Sequence, residues 1–268
     1  MLSTIIRKNK LFGKFTKVKN RGVCMYSNSV FLKSLDSVHK EWETFLNSET
    51  LSILIEIEKK IINPGIDYTP NPKNVLRFLN VSLSETKIII LGQDPYPQKG
   101  VATGRAFEVG TLNSWDQKFN NISLKNIVRS IYYAYTGSYK KYSEILPEMN
   151  QRLHIKPPNE LFGEWEKQGV LLLNTSFTCE IGKSNSHEKL WNPFTQLLLN
   201  YITKMNPEIT WFLWGSNAKL IVSGIEINHK IESMHPMMCY DRPNRKDDFL
   251  FGEINAFKET MHIVNWLG

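Results

Sequence analysis

The chain reads as an α/β protein with a parallel sheet covered by helices on both faces. Two observations lead there. Four short apolar runs lie near 87–91, 170–173, 209–214 and 229–234, each closed by Gly or a polar residue. Short, near-continuous apolar runs of this kind are buried strands rather than half-exposed ones. Helical stretches near 123–136, 160–168, 190–205 and 216–222 follow or precede them in alternation, the pattern of a parallel sheet.

The elements follow in order. Residues 36–62 carry Trp42, Phe45, Leu51, Leu54, Ile55 and Ile61 at mixed helical spacing, which predicts one or two helices before the first strand. Pro64, Pro70 and Pro72 mark a loop, and 74–78 reads as a short helix. A last helix is expected over 248–265. At 268 residues the chain suits one domain, assigned to 25–268.

The strand ends carry the chemistry. The first run closes in Gly92-Gln93-Asp94-Pro95-Tyr96-Pro97, an acidic side chain on a proline-stiffened turn. Open α/β sheets place their ligands at this end of the strands. Asp before Pro also caps turns, so the position alone leaves both roles open. The second run closes in Leu171-Leu172-Leu173-Asn174, whose amide has the donors and acceptor to read a nucleobase edge. The third runs into Trp214-Gly215-Ser216, the fourth into Met234-His235-Pro236, and Ser123 stands at the start of a helix in Asn121–Ile127.

These five ordered segments resemble the family 1 uracil-DNA glycosylases, with a water-activating Gly-Gln-Asp-Pro-Tyr loop, a Leu-Leu-Leu-Asn strand end, a Trp-Gly-Ser loop and a His-Pro loop. The likeness runs from about Asp67 to the C-terminus, with supporting stretches at 164–170 and 185–188. It implies a three-layer α/β/α sandwich with a central four-stranded parallel sheet, and the count of apolar runs agrees. It also implies a DNA-repair hydrolase that flips uracil out of DNA and cleaves its N-glycosidic bond. Asp94 would orient water and stabilise the positive sugar, and His235 would stabilise the uracil anion. Asn174 would read uracil against cytosine, Tyr96 would exclude the thymine methyl, Phe107 would stack on the base, and Gln93 would shape the pocket. Ser123 and Ser216 would grip phosphates, with Lys219 and Arg242 as further phosphate partners.

Two departures from the family pattern stand out. Pro97 replaces a histidine. The His-Pro-Ser-Pro-Leu-Ser pattern becomes His235-Pro236-Met237-Met238-Cys239-Tyr240, so Cys239 holds the wedge position and Met238 or Tyr240 must supply an apolar wedge.

Composition is that of an ordinary globular protein, with 41% hydrophobic and 22% charged residues. The formal charge is +7, yet residues 1–24 hold seven basic and no acidic residues, which leaves 26 basic against 26 acidic elsewhere. This stretch reads as a disordered basic extension able to add phosphate affinity, or as an organellar targeting segment. Cys24, Cys179 and Cys239 are scattered, which indicates a reducing compartment: cytoplasmic in a bacterium, nuclear or organellar otherwise. Three cysteines cannot ligate a four-thiolate cluster and the histidines lack metal spacing, so no metal and no cofactor is expected. The expected partner is uracil-containing DNA, single- or double-stranded. A DNA-mimicking protein inhibitor is a further partner of the same groove. No membrane segment and no second subunit are expected. Removal of a modified pyrimidine, or a DNA-binding accessory role without catalysis, are the alternative readings.

Overall fold

A computed structural model describes residues 29–62 and 65–268, so the basic stretch 1–24 lies outside the described residues. The N-terminal part forms α1 (Val30–Lys33), a single 3₁₀ turn at Lys40–Trp42 and α2 (Ser48–Ile62). A two-residue strand, β1 (Tyr68–Thr69), precedes α3 (Pro72–Val75) and a 3₁₀ turn at Arg77–Asn80. The alternating part begins with β2 (Ile88–Gly92), followed by α4 (Ile122–Thr136), α5 (Tyr142–Gln151) and α6 (Pro158–Lys167). It continues through β3 (Val170–Asn174), β4 (Cys179–Glu180), α7 (Glu188–Met205), β5 (Thr210–Trp214), α8 (Ser216–Ile221), β6 (His229–Ser233) and α9 (Ala256–Thr260).

Among the described residues the main sheet has four strands in the order β3-β2-β5-β6, and all its pairs are parallel. Strand side chains alternate between faces, and here both faces are buried. Ile89, Leu91, Leu171, Leu173, Trp211 and Leu213 pack on one side with residues of α1, α2 and α7. Ile88, Ile90, Val170, Leu172, Phe212 and Trp214 pack on the other with residues of α4, α5, α6 and α9. The three-layer sandwich with a four-stranded parallel sheet is therefore as the sequence predicts. The β6 strand is an edge, and its outward His229, Lys230 and Glu232 give that edge the charged character that discourages pairing with another chain.

Three elements differ from the sequence reading. The helix expected over 248–265 is confined to Ala256–Thr260. Asp248 breaks it: its buried carboxylate accepts the amides of Leu250 and Phe251 at 2.9 and 3.1 Å, which offers the backbone a turn in place of a helix. Phe249 and Leu250 still reach the core from that turn. Helix α5 was not anticipated, because Pro147 sits inside it. The small antiparallel pair β1–β4 was missed as well, being two residues a strand.

Candidate active site

All four sheet strands deliver their carboxyl ends to one side of the molecule, and the sequence-predicted residues sit there. Past the end of β2 the pairing with β3 continues. Thr175 N donates to Gly92 O at 3.0 Å, Ser176 N to Gln93 O at 2.8 Å, and Thr175 Oγ1 also to Gln93 O at 2.9 Å. These bonds fix the exit of the strand and hence the direction of Asp94. The Asp94 carboxylate is half-buried and accepts the backbone amide of Asn185 at 2.7 Å. Burial, the dominant effect, pushes its carboxyl above the usual range; the Asn185 bond opposes this and the Glu188 charge adds to it.

Asn185 adopts a left-handed backbone with φ of 63°, a conformation that Asn tolerates better than most residues. The loop behind it is pinned by a buried chain of bonds. Trp191 Nε1 donates to Thr178 Oγ1 at 2.7 Å, and the Thr178 hydroxyl shares a hydrogen bond with His187 Nδ1 at 2.9 Å. Sequence reasoning noticed 185–188 only as a connecting stretch. The one local signal of its role is the Asn itself, since the rest depends on contacts across the fold.

A cavity of about 220 Å³ opens beside Asp94, lined by Gln93, Phe107, Trp214, Ser216, His235 and Met238 among others. Gly92 forms part of its floor, opposite Asn174 in the sheet register. Asn174 is 4% exposed and stands behind Gly92 rather than in the cavity wall. Asp94 and Tyr96 also lie outside the cavity lining, on its flank. A larger hollow of about 520 Å³ sits at the opposite, amino-terminal end of β2 and β3, far from all of these residues.

Two glycines are required by this arrangement. A Cβ at Gly92 would collide with Asn174 Oδ1 and come 2.8 Å from Ala106 Cβ. Gly215 has φ of 90°, and a Cβ there would lie 2.9 Å from His235 Cβ. Gly92→Ala is therefore expected to turn the Asn174 amide aside.

Phe107 also has a left-handed backbone, with φ of 64°, strained for an aromatic residue. That strain aims the ring at the cavity, 5.3 Å from Trp214 and 6.2 Å from the His235 ring, measured between centroids. Its carbonyl accepts the Tyr96 hydroxyl at 3.4 Å, which ties Tyr96 behind it; burial pushes the Tyr96 phenol up to about 12. The turn is anchored by Arg105, which pairs with Glu166 at 2.5 Å and Glu108 at 3.1 Å.

His235 lies two residues beyond the end of β6. Met237 N donates to its Nδ1 at 3.2 Å, so Nδ1 is the acceptor and the ring proton resides on Nε2. Burial pulls its pKa below the usual value, consistent with a neutral ring. The loop after it carries the second of the two departures noted in the sequence. Cys239 is half-buried, and its thiol donates to Pro236 O at 3.1 Å. Met237, Met238 and Tyr240 are exposed instead. Arg245 donates to Met238 O at 2.5 Å, pairs with Asp248 at 3.2 Å and covers the Tyr240 ring at 4.9 Å. Arg242 lies 5.7 Å from the same ring. Arg245 was not singled out in the sequence; nothing in its immediate neighbours distinguishes it from Arg242.

The phosphate candidates lie at the rim. Ser123 is in the first turn of α4, half-buried, and Ser216 begins α8, exposed, with Lys219 one turn later. Among the described residues no group of His, Cys, Asp and Glu is arranged to hold a metal, and no helix is long and apolar enough to cross a membrane.

Known proteins resemble this chain in sequence and fold. A family model described as the uracil DNA glycosylase superfamily matches residues 80–257. A uracil-DNA glycosylase of Mesomycoplasma hyopneumoniae is 33% identical over 203 residues, covering 74% of this chain and 82% of that one. The wild-type UNG crystal structure from Nitratifractor salsuginis superposes with a TM-score of 0.62 at 24% identity, over 82% of this chain and 91% of that one. A mimivirus UNG variant solved in complex with UGI has a TM-score of 0.62 at 19% identity, over 88% and 86% of the two chains. The chain belongs to the uracil DNA glycosylase superfamily, and its motifs fit the family 1 branch.

Proposed function

We propose that this protein excises uracil from DNA by hydrolysing the bond between the base and C1′, leaving an abasic site. The observation that carries the reading is a carboxylate, Asp94, just past β2 and a donor, His235, just past β6, both at the carboxyl end of one parallel sheet in a chain of the uracil DNA glycosylase superfamily. Breaking an N-glycosidic bond leaves positive charge on the sugar and negative charge on the base. Asp94, held as a carboxylate by the Asn185 amide, stabilises the sugar and orients the attacking water. His235 presents Nε2–H to the departing O2, and a neutral imidazole suffices for that.

A base must leave the duplex stack to enter such a cleft. Phe107 then stacks on it, Gln93 lines its site, and Asn174 reads its O4 and N3–H edge from behind Gly92. Met238 and Tyr240 occupy the space the base vacates, and Met237 stands beside them. Ser123, Ser216 and Arg242 hold the backbone, as positioning contacts that carry no sequence information. DNA is the substrate partner, single- or double-stranded, and the protein acts as a monomer. A DNA-mimicking inhibitor would occupy the same mouth, a reading supported by the UGI complex of the mimivirus neighbour.

Base selectivity tests the reading. Oligonucleotides bearing uracil, thymine or cytosine at one position, incubated without metal, are expected to lose uracil alone. Tyr96→Ala opens the C5 side of the site, and thymine release should then rise from background by at least about tenfold, the scale on which one methyl group is discriminated. Release of no base by the wild type would sink the proposal.

A further inference from the structure

Asn126 lies one turn into α4, three residues beyond Ser123, and is buried like the core residues Leu124 and Ile127 near it. An amide there is an odd choice. Asn is a poor helix former, and burying its polar head costs free energy unless it is bonded. Both ends of this one are bonded. Nδ2 donates to the carbonyl of Pro236 at 2.7 Å, and Oδ1 accepts from Arg129 Nη1 at 2.8 Å. Arg129 is itself tied through Nε to the Lys140 carbonyl at 2.7 Å. A guanidinium only donates and a carbonyl only accepts, which fixes the orientation of the amide.

The Pro236 carbonyl belongs to the residue directly after His235. Cys239 Sγ also reaches it, but from within the same loop. Asn126 is thus the bond by which α4 grips the loop bearing the imidazole. One rigid helical turn separates it from Ser123 at the DNA-facing end of the helix, a span of about 4.5 Å along the axis.

We propose that Asn126 is a positioning residue that links the phosphate-gripping end of α4 to His235, setting where Nε2–H meets the departing base. This rests on the uracil-excising reading above. The residue touches no reacting atom; it acts through the Pro236 peptide.

The test compares wild type with Asn126→Asp and Asn126→Ser, alone and combined with His235→Ala. Duplexes carry uracil or 5-fluorouracil, and single-turnover release is measured. Fluorine makes the departing base a more stable anion, so its release leans less on His235. Asn126→Asp keeps the side chain's shape but turns the donor toward Pro236 into an acceptor. The expected result is a loss of at least about tenfold on uracil and less than about threefold on 5-fluorouracil, and a double variant within about twofold of His235→Ala alone, as for residues acting as one unit. Thermal melting checks that each variant is folded; should Asn126→Asp not fold, Asn126→Ser carries the same comparison. Equal losses on the two bases, or losses that add to that of His235→Ala, overturn the proposal while uracil release by the wild type stands. A wild type that releases no uracil removes the reading itself, and this proposal with it.

Discussion

Asp94→Asn is expected to slow uracil release by about 10²- to 10⁴-fold, the range spanned by a positioned acid or base, and at the same time to raise the melting temperature at neutral pH. The two effects share one cause. Burial raises the Asp94 carboxyl above its ordinary 3.8, so at neutral pH the folded protein holds a charge in a partly dry site. An amide keeps the shape, still accepts the Asn185 amide through its oxygen, and carries no charge. The sign follows from proton linkage: a carboxyl whose folded pKa exceeds its unfolded one keeps its proton longer in the folded state. Its effect on wild-type stability therefore worsens as pH rises from 3.8 through the raised value. The stability gap between variant and wild type should open over that window and persist above it, while below 3.8 it should close. Activity is expected to run the other way and fall as pH drops through the raised pKa, because the role proposed for Asp94 requires the carboxylate. Melting curves and single-turnover rates across pH, on the same two proteins, check both halves.

His235→Ala is expected to cost about 10²- to 10³-fold in the rate of uracil release, the loss found when one donor to a developing anion is removed. The Met237 amide commits Nδ1 to accepting, which leaves the proton on Nε2, where the departing base needs it. Protonating the ring would set a second N–H against the Met237 amide. Burial already disfavours that form and holds the folded pKa below 6.5. For a base whose folded pKa is depressed, the stability contribution is present above the unfolded value and is lost as pH falls through the folded one. The wild type should therefore lose stability relative to His235→Ala as pH drops below 6.5, and match its trend above it. A rate loss under threefold for this variant would assign the anion to another donor.

The strands and their ends were legible because each is a local pattern. A β-branched or leucine run stops at Gly92, Asn174, Trp214 or Ser233, and a parallel sheet must gather those ends on one side. What supports the site was not legible. The Asn185 amide on Asp94, the Thr178–His187–Trp191 chain and the Asn126 bond to Pro236 all join residues that the sequence separates by many positions. The loop after His235 was legible only in part, with Met238 or Tyr240 expected to carry the wedge. Counting along the family pattern leads to Cys239, which is half-buried, whereas the methionines and Tyr240 are exposed. The apolar residues of 248–265 misled, since their spacing permits a helix that the Asp248 carboxylate replaces with a turn.

The most direct test is single-turnover incubation of a uracil-containing oligonucleotide with the wild type and Asp94→Asn, in the presence of a chelator, with both products followed. Free uracil and an alkali-labile abasic site at that one position, formed together by the wild type and nearly absent with the variant, is the predicted result. DNA that is bound but chemically intact, or uracil released equally fast by the variant, would contradict the account.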